Sequence, residues 1–206
     1  MQALTLTAAR AIAGTLSDTS KMPGKSASLS ALKCITGGKL AQKAGSVCAI
    51  CYALRNNYTW PSVGVSMERR QQGLDDPQWT DAMVTLISRA GSPWFRWFDS
   101  GDLQSMDHLR NILDVCRRTP DVAHWLATKE AQFVRQLQPD DVPDNLVLRL
   151  SSPMIDQRPV SWWPWTSTVV SDGDNASCPA KRQGNSCGEC RACWDGLQLT
   201  VSYPEH

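Results

Sequence analysis

The sequence predicts an α/β fold built on a mainly parallel sheet, and three observations carry that prediction. Short apolar segments recur along the chain: WFRWF, VAHWLA, NLVLRL and STVVS. Each runs into a polar cluster, respectively DSGD, TKE, SSP and SDGD. Stretches with helical spacing of apolar residues separate several of them. Alternation of this kind argues for parallel strands linked by crossovers, with sites gathered beyond the carboxyl ends of the strands.

The N-terminal MQALTLTAARAIAGTLS is mildly apolar, but Thr5, Thr7 and Arg10 interrupt it and no charged lead precedes it. It reads as mature protein rather than a secretion signal. GSVCAICYALRNNY then reads as the entry to a helix. In SMERRQQGLDDPQWTDAMVTLISRAG, Asp76 can cap a helix with Pro77 at its first position. Trp79, Met83, Leu86 and Ile87 form its apolar face, and Gly91 ends it. Leu109, Ile112, Leu113 and Cys116 give a second helical face over 107–118, capped by Asp102 or Ser105 and stopped by Pro120. A brief helix is expected over 131–137, and LQLTVSY is the last strand. QRPVSWWPWT reads as a rigid aromatic loop, with Trp162, Trp163 and Trp165 as packing or as a stacking platform.

At 206 residues the chain is read as one domain, an α/β core over 21–175 followed by a cysteine-rich loop and final strand over 176–206. A net charge of +1 supplies no bulk field to draw it to nucleic acid or anionic lipid. No apolar run approaches the length of a membrane span. These features point to a reducing cytoplasm, where clustered cysteines more often hold metal than form disulfides.

Seven of the eight cysteines fall into two sets. Cys178, Cys187, Cys190 and Cys193 have the spacing C-x8-C-x2-C-x2-C, with Pro179 after the first. That pattern is closer to ferredoxin-like iron–sulfur ligation than to a zinc ribbon, with a closed tetrathiolate zinc site as the alternative. Cys34, Cys48 and Cys51 form a set of three with no evident fourth member, which suits a cluster with one iron left open. A Cys48/Cys51 redox dithiol, or a zinc completed by His108, His124 or His206, are the competing readings. Cys116 reads as a buried small hydrophobe.

KSASLSALKC, CAICYA, FRWFDSGDL, WLATKE, NLVLRLS and CPA…CGECRACW together resemble the bacteriophage "gene product 88" proteins over about 21–194. Those proteins are similar in plan to radical S-adenosylmethionine (SAM) enzymes. The resemblance implies a partial (β/α) barrel, a shortened radical SAM core, with a C-terminal cysteine-rich metal-binding loop. Cys48, Cys51 and Tyr52 match the end of the cluster motif, although thirteen residues separate Cys34 from Cys48 where the familiar motif has three. Ser100, Gly101 and Asp102 stand where a SAM amino group would be contacted, and Thr128, Arg149 and Ser151 at later strand ends. Asp102 and Lys129 are the candidate catalytic residues, Lys129 as a proton donor or anion ligand.

The expected function is an iron–sulfur protein of radical SAM-like type, with one or two [4Fe–4S] clusters, SAM, a small-molecule substrate and an electron donor. The alternatives are a zinc-stapled protein binding a host protein or nucleic acid, and an iron–sulfur enzyme of non-radical chemistry. Host cytoplasm is the expected location.

Overall fold

The computed structural model describes residues 4–205, so His206 lies outside the described residues. Its centre is a seven-stranded open sheet whose strands stand in sequence order. The strands are β1 (Ser17–Asp18), β2 (Lys25–Ala27), β3 (Trp94–Trp97), β4 (Ala123–Thr128), β5 (Leu146–Ile155), β6 (Thr166–Val170) and β7 (Thr200–Pro204). β1 pairs antiparallel with β2, and every later neighbour pair is parallel. The α/β class and the mainly parallel sheet are as the sequence predicts; the sheet does not close on itself.

Among the described residues there are six α-helices, α1 (Leu6–Ala13), α2 (Ile35–Leu40), α3 (Pro61–Gly73), α4 (Trp79–Ser88), α5 (Met106–Arg117) and α6 (Ala131–Val134), besides short 3-10 turns. Ser105 caps α5 by accepting the His108 N–H at 3.0 Å. Asp76 does not cap α4. Its carboxylate accepts the Gln78 N–H in a turn, and the helix starts at Trp79. The Cys48–Cys51 segment is also not helical: it forms short 3-10 turns at Val47–Ile50 and Tyr52–Leu54, and a helix begins only at Pro61. β5 runs further than expected, through Ser152 and Pro153 to Ile155 past an irregularity in pairing with β6.

Alternation along the strands gives the sheet two unlike faces. Phe95 and Trp97 of β3, Leu126 of β4, and Leu146, Leu148 and Leu150 of β5 join the main core with α4 and α5. α1 belongs to the same core through the buried Ala9 and Ala13. The other face carries Trp94, Arg96, Trp125, Arg149, Val201 and Tyr203, and is packed by the cysteine-rich segment through Cys193 and Trp194. The C-terminal segment thus covers a sheet face that the helices leave free. Among the described residues, no helix is long and apolar enough to cross a membrane.

Candidate metal centres

The loop between β2 and α3 holds Cys34, Cys48 and Cys51, and it is fastened to three strand ends in turn. At the end of β3, Ser100 and Leu29 exchange backbone and side-chain hydrogen bonds, with Leu29 N–H donating to Ser100 O and Ser100 Oγ to Leu29 O, each at 2.9 Å. Gly101 sits at φ 81°, and a Cβ there would lie 2.6 Å from Leu29 Cβ, so only glycine permits this approach. Tyr52 donates its hydroxyl to Asp99 O, and Tyr58 donates to Asp99 Oδ2 at 3.1 Å. At the end of β4, the fully buried Glu130 accepts the N–H and the hydroxyl of Thr36, both at 2.7 Å. At the end of β5, Ile155 N–H donates to Gly45 O at 3.0 Å and Ser46 bridges Met154. These fastenings return Cys34 to the neighbourhood of Cys48 and Cys51 despite the long gap between them.

The three thiols are half-buried and close enough for their charges to interact. The Sγ atoms of Cys34 and Cys48 each lie 3.6 Å from the point a Cβ on Gly37 would occupy, so a side chain at Gly37 would fill the space between them. Burial, then Asp102, Cys51, Cys48 and Glu130, push the Cys34 thiol up to about 12. Burial also raises Cys48, against the opposing effect of the Lys129 ammonium. Thiols held protonated beside the Asp102 and Glu130 carboxylates would ionise on binding a cation, and metal binding would release their protons.

Asp102, Thr128 and Lys129 form one network beside these thiols. Asp102 Oδ1 accepts Leu103 N–H at 2.8 Å and the Thr128 hydroxyl at 2.5 Å, while Oδ2 accepts Lys129 N–H at 2.8 Å. Burial lifts the Asp102 carboxyl to about 6, despite these hydrogen bonds. Phe98, buried at φ 60°, turns the chain out of β3 just before this stretch. That conformation is an outlier for a bulky residue, of the sort that collects at functional strand ends.

The second set lies across the covered face of the sheet. Cys178 N–H donates to Ser202 O at 2.9 Å, Cys187 N–H to Lys21 O at 2.8 Å, and Cys190 N–H to Cys187 O at 2.9 Å. Cys193 Sγ is 3.2 Å from the Tyr203 hydroxyl. Positive φ at Gly184, Asn185 and Gly188 coils the loop back on itself. Cys187 is raised by burial and then by Cys178, and Cys193 is pushed up to about 11, chiefly by burial. Two donors on this face, Arg96 Nε and Trp125 Nε1, are buried without an acceptor, beside a set of potential thiolate acceptors. Among the described residues, no three ligating side chains converge on a single point in either set.

A family model described as Gene product 88 matches residues 4–196. The chain belongs to the Gene product 88 family. Neither a search of the curated proteins nor one of the solved structures gave a match. The family match begins ahead of the cysteine loop and so includes α1, in keeping with its place in the core.

Within this Gene product 88 chain the other candidate residues divide. Ser100 and Gly101 serve the Leu29 contact, which commits the Ser100 hydroxyl to the protein itself. Ser151 shares a 2.8 Å hydrogen bond with Ser167 on the same face as Arg96. Arg149 does not reach for a ligand: it is fully buried and donates to the carbonyls of Cys193, Thr166, Leu199, Ala192 and Asp195 at 2.8–3.3 Å. Its place in a buried strand is explained by those acceptors, and its expected role as a cofactor ligand gives way to holding the cysteine-rich loop.

Of the histidines offered as zinc ligands, His206 lies outside the described residues, and His108 and His124 lie in the core. His108 and His124 pack against Trp79, Phe98, Phe95 and Trp97, and burial lowers them to about 3 and about 4, keeping both neutral. Cys116 is fully buried in α5. Trp163 is buried and donates to Leu148 O, Trp165 donates to Gly196 O, and Trp162 stays partly exposed under Arg135. The residues sequence reasoning missed are Glu130, Thr36, Tyr58 and Arg96. Glu130 stood in the TKE cluster, but nothing local linked it to Thr36.

Proposed function

We propose that the protein is an iron–sulfur enzyme of radical SAM-like type, with Cys34, Cys48 and Cys51 as ligands of an open-site [4Fe–4S] cluster. Cys178, Cys187, Cys190 and Cys193 would hold a second, closed centre. One observation carries this reading: the three-cysteine loop follows the first of six successive parallel strands and is fastened to the ends of the next three. A set of three thiols beyond the carboxyl ends of such a sheet suits a cofactor that must also meet a substrate. When bound, the cluster would supply one-electron chemistry to SAM or to substrate.

The chain's own residues then have definite tasks. Asp102, held by Thr128 and the Lys129 N–H, is placed to hold or release a proton near neutral pH. The Lys129 ammonium acts on both Asp102 and Cys48, and would draw an anionic group of the ligand to that spot. Contacts to SAM from the ends of β3 and β4 would fall to backbone groups and Lys129, because Ser100, Asp102 and Thr128 already have partners. A small-molecule substrate, an electron donor and a cytoplasmic setting complete the proposal.

The deciding experiment is iron, sulfide and zinc analysis of anaerobically purified protein, followed by incubation of reduced protein with SAM. Brown protein containing iron and sulfide, and release of 5′-deoxyadenosine, are expected. Colourless protein containing only zinc would overturn the cluster. Iron and sulfide without 5′-deoxyadenosine or any spectral response to SAM would turn the reading to non-radical chemistry.

A further inference from the structure

Arg96 is a half-buried cation with an unusual set of neighbours. It leaves β3 on the face covered by the cysteine-rich loop, and its guanidinium lies 4.5 Å from the ring centroid of Trp125. One of its amino nitrogens contacts Met22 Sδ at 3.3 Å, and the residue before Met22 receives the Cys187 N–H. On its other flank its charge acts on Tyr52, the neighbour of Cys51. Among the described residues no carboxylate lies within ion-pair distance of it; Asp99, the nearest acidic influence, is engaged by Ser26 and Tyr58. Its Nε is buried without an acceptor, as is the indole N–H of the Trp125 on which it stacks.

A buried donor is normally satisfied by an acceptor. Tyr52 and Asp99 stabilise the guanidinium from one side, and the four-cysteine set offers an anionic partner on the other, where the Arg96 charge acts on Cys187 and Cys193. Four thiolates leave a net charge of about −2 whether they hold one zinc ion or a [4Fe–4S] cluster in its usual oxidised state. Such a centre, packed with Trp125, Cys193 and Cys178 in one cluster, needs positive charge within the same low-dielectric space. Lys21 acts on Cys187, and Arg149, already committed to carbonyls, acts on Cys193, whereas Arg96 acts on both thiols and has a buried Nε with no acceptor. We infer that Arg96 is the internal counter-ion of the Cys178/Cys187/Cys190/Cys193 centre. Through Tyr52 it also links that centre to the three-cysteine loop, so a change of charge at one is felt at the other.

This inference rests on the reading that the four cysteines bind metal, but it holds for either metal. The test compares wild type, Arg96→Gln and Arg96→Lys, with folding checked by circular dichroism. Metal retention is measured against a chelator, and the midpoint potential by electron paramagnetic resonance titration if iron is present. Arg96→Gln, which removes the charge and keeps a hydrogen-bonding group, is expected to weaken metal retention roughly 10–100-fold, the usual effect of losing an outer-shell partner. It should also move the potential of an iron centre to more negative values, because the reduced state carries more negative charge. Arg96→Lys, which keeps the charge and loses the planar fork, should stay close to wild type.

Unchanged retention and potential in a folded Arg96→Gln protein would overturn the inference. If Arg96→Gln does not fold, Arg96→Lys decides alone: metal loss there would mean that shape, not charge, is what the site requires. A wild-type protein that takes up no metal at these four cysteines would instead overturn the underlying reading, and the counter-ion role with it.

Discussion

The Glu130 carboxylate accepts both the backbone N–H and the hydroxyl of Thr36, each at 2.7 Å, joining residues 94 positions apart. Thr36 stands two residues after Cys34, so this contact fixes the first cysteine of the loop against the end of β4. Glu130→Gln leaves one side-chain oxygen where two acceptors are needed and turns an amide donor toward a donor. The expected result is a loss of about 1–3 kcal/mol in stability. Metal should be lost from the three-cysteine centre while the four-cysteine centre keeps its own, as checked by denaturant unfolding and metal counting.

Cys51→Ala addresses the independence of the two sets directly. The first set lies beyond the strand ends and the second lies on a sheet face, and each has its own fastenings. The variant should lose the metal of the first centre and retain that of the second. Equal loss from both would mean that the seven cysteines fold around their metals as one unit.

Arg149→Met would leave four carbonyls of the loop, and that of Thr166 in β6, without the donor that now serves them. Each abandoned buried acceptor costs on the order of 1–3 kcal/mol. The loop over 176–199 should become the first site of proteolytic cleavage, with stability reduced by more than about 3 kcal/mol. Limited proteolysis read by mass spectrometry would locate the cut; cleavage first in the loop over 28–60 would contradict this assignment.

Asp102 gives the metal-free protein a defined pH dependence. Its folded value of about 6 lies above the ordinary 3.8, so between these values the folded chain keeps a proton that the unfolded chain has released. The stability associated with this proton is fully present below about 4 and is lost as pH rises through about 6, a fall of roughly 3 kcal/mol. Asp102→Asn should remove that slope. Denaturant titrations of both proteins across this range would show it, and parallel curves would contradict it.

Much of the architecture was legible in the sequence because it follows from local pattern. WFRWF, VAHWLA, NLVLRL and STVVS announced strands through apolar runs ending in polar clusters, and Leu109, Ile112 and Leu113 announced α5 through their spacing. The cysteine loop was misread as helical because the capping and turn signals there are short-range. Ser46 accepts the Ala49 N–H and starts a short 3-10 turn, and tertiary fastening at Gly45 before it and Tyr52 after it keeps it from extending. Arg149 looked like a ligand because a charge in an apolar strand calls for a partner. Five backbone carbonyls, invisible to any side-chain pattern, supply it.

The sequence by itself determined the α/β class, the two cysteine sets and the polar strand ends, since each depends on residue type and spacing within a few positions. Only the tertiary structure decided how Cys34 is held beside Cys48 and Cys51, and that the C-terminal loop roofs one face of the sheet. It also decided that Arg96 stands between the two sets. Those relations depend on residues tens of positions apart meeting across parallel strands, and no local preference encodes which strand end a loop is tied to. The thirteen-residue gap after Cys34 is bridged by Glu130, a residue that acquires its meaning only once β4 lies beside β3.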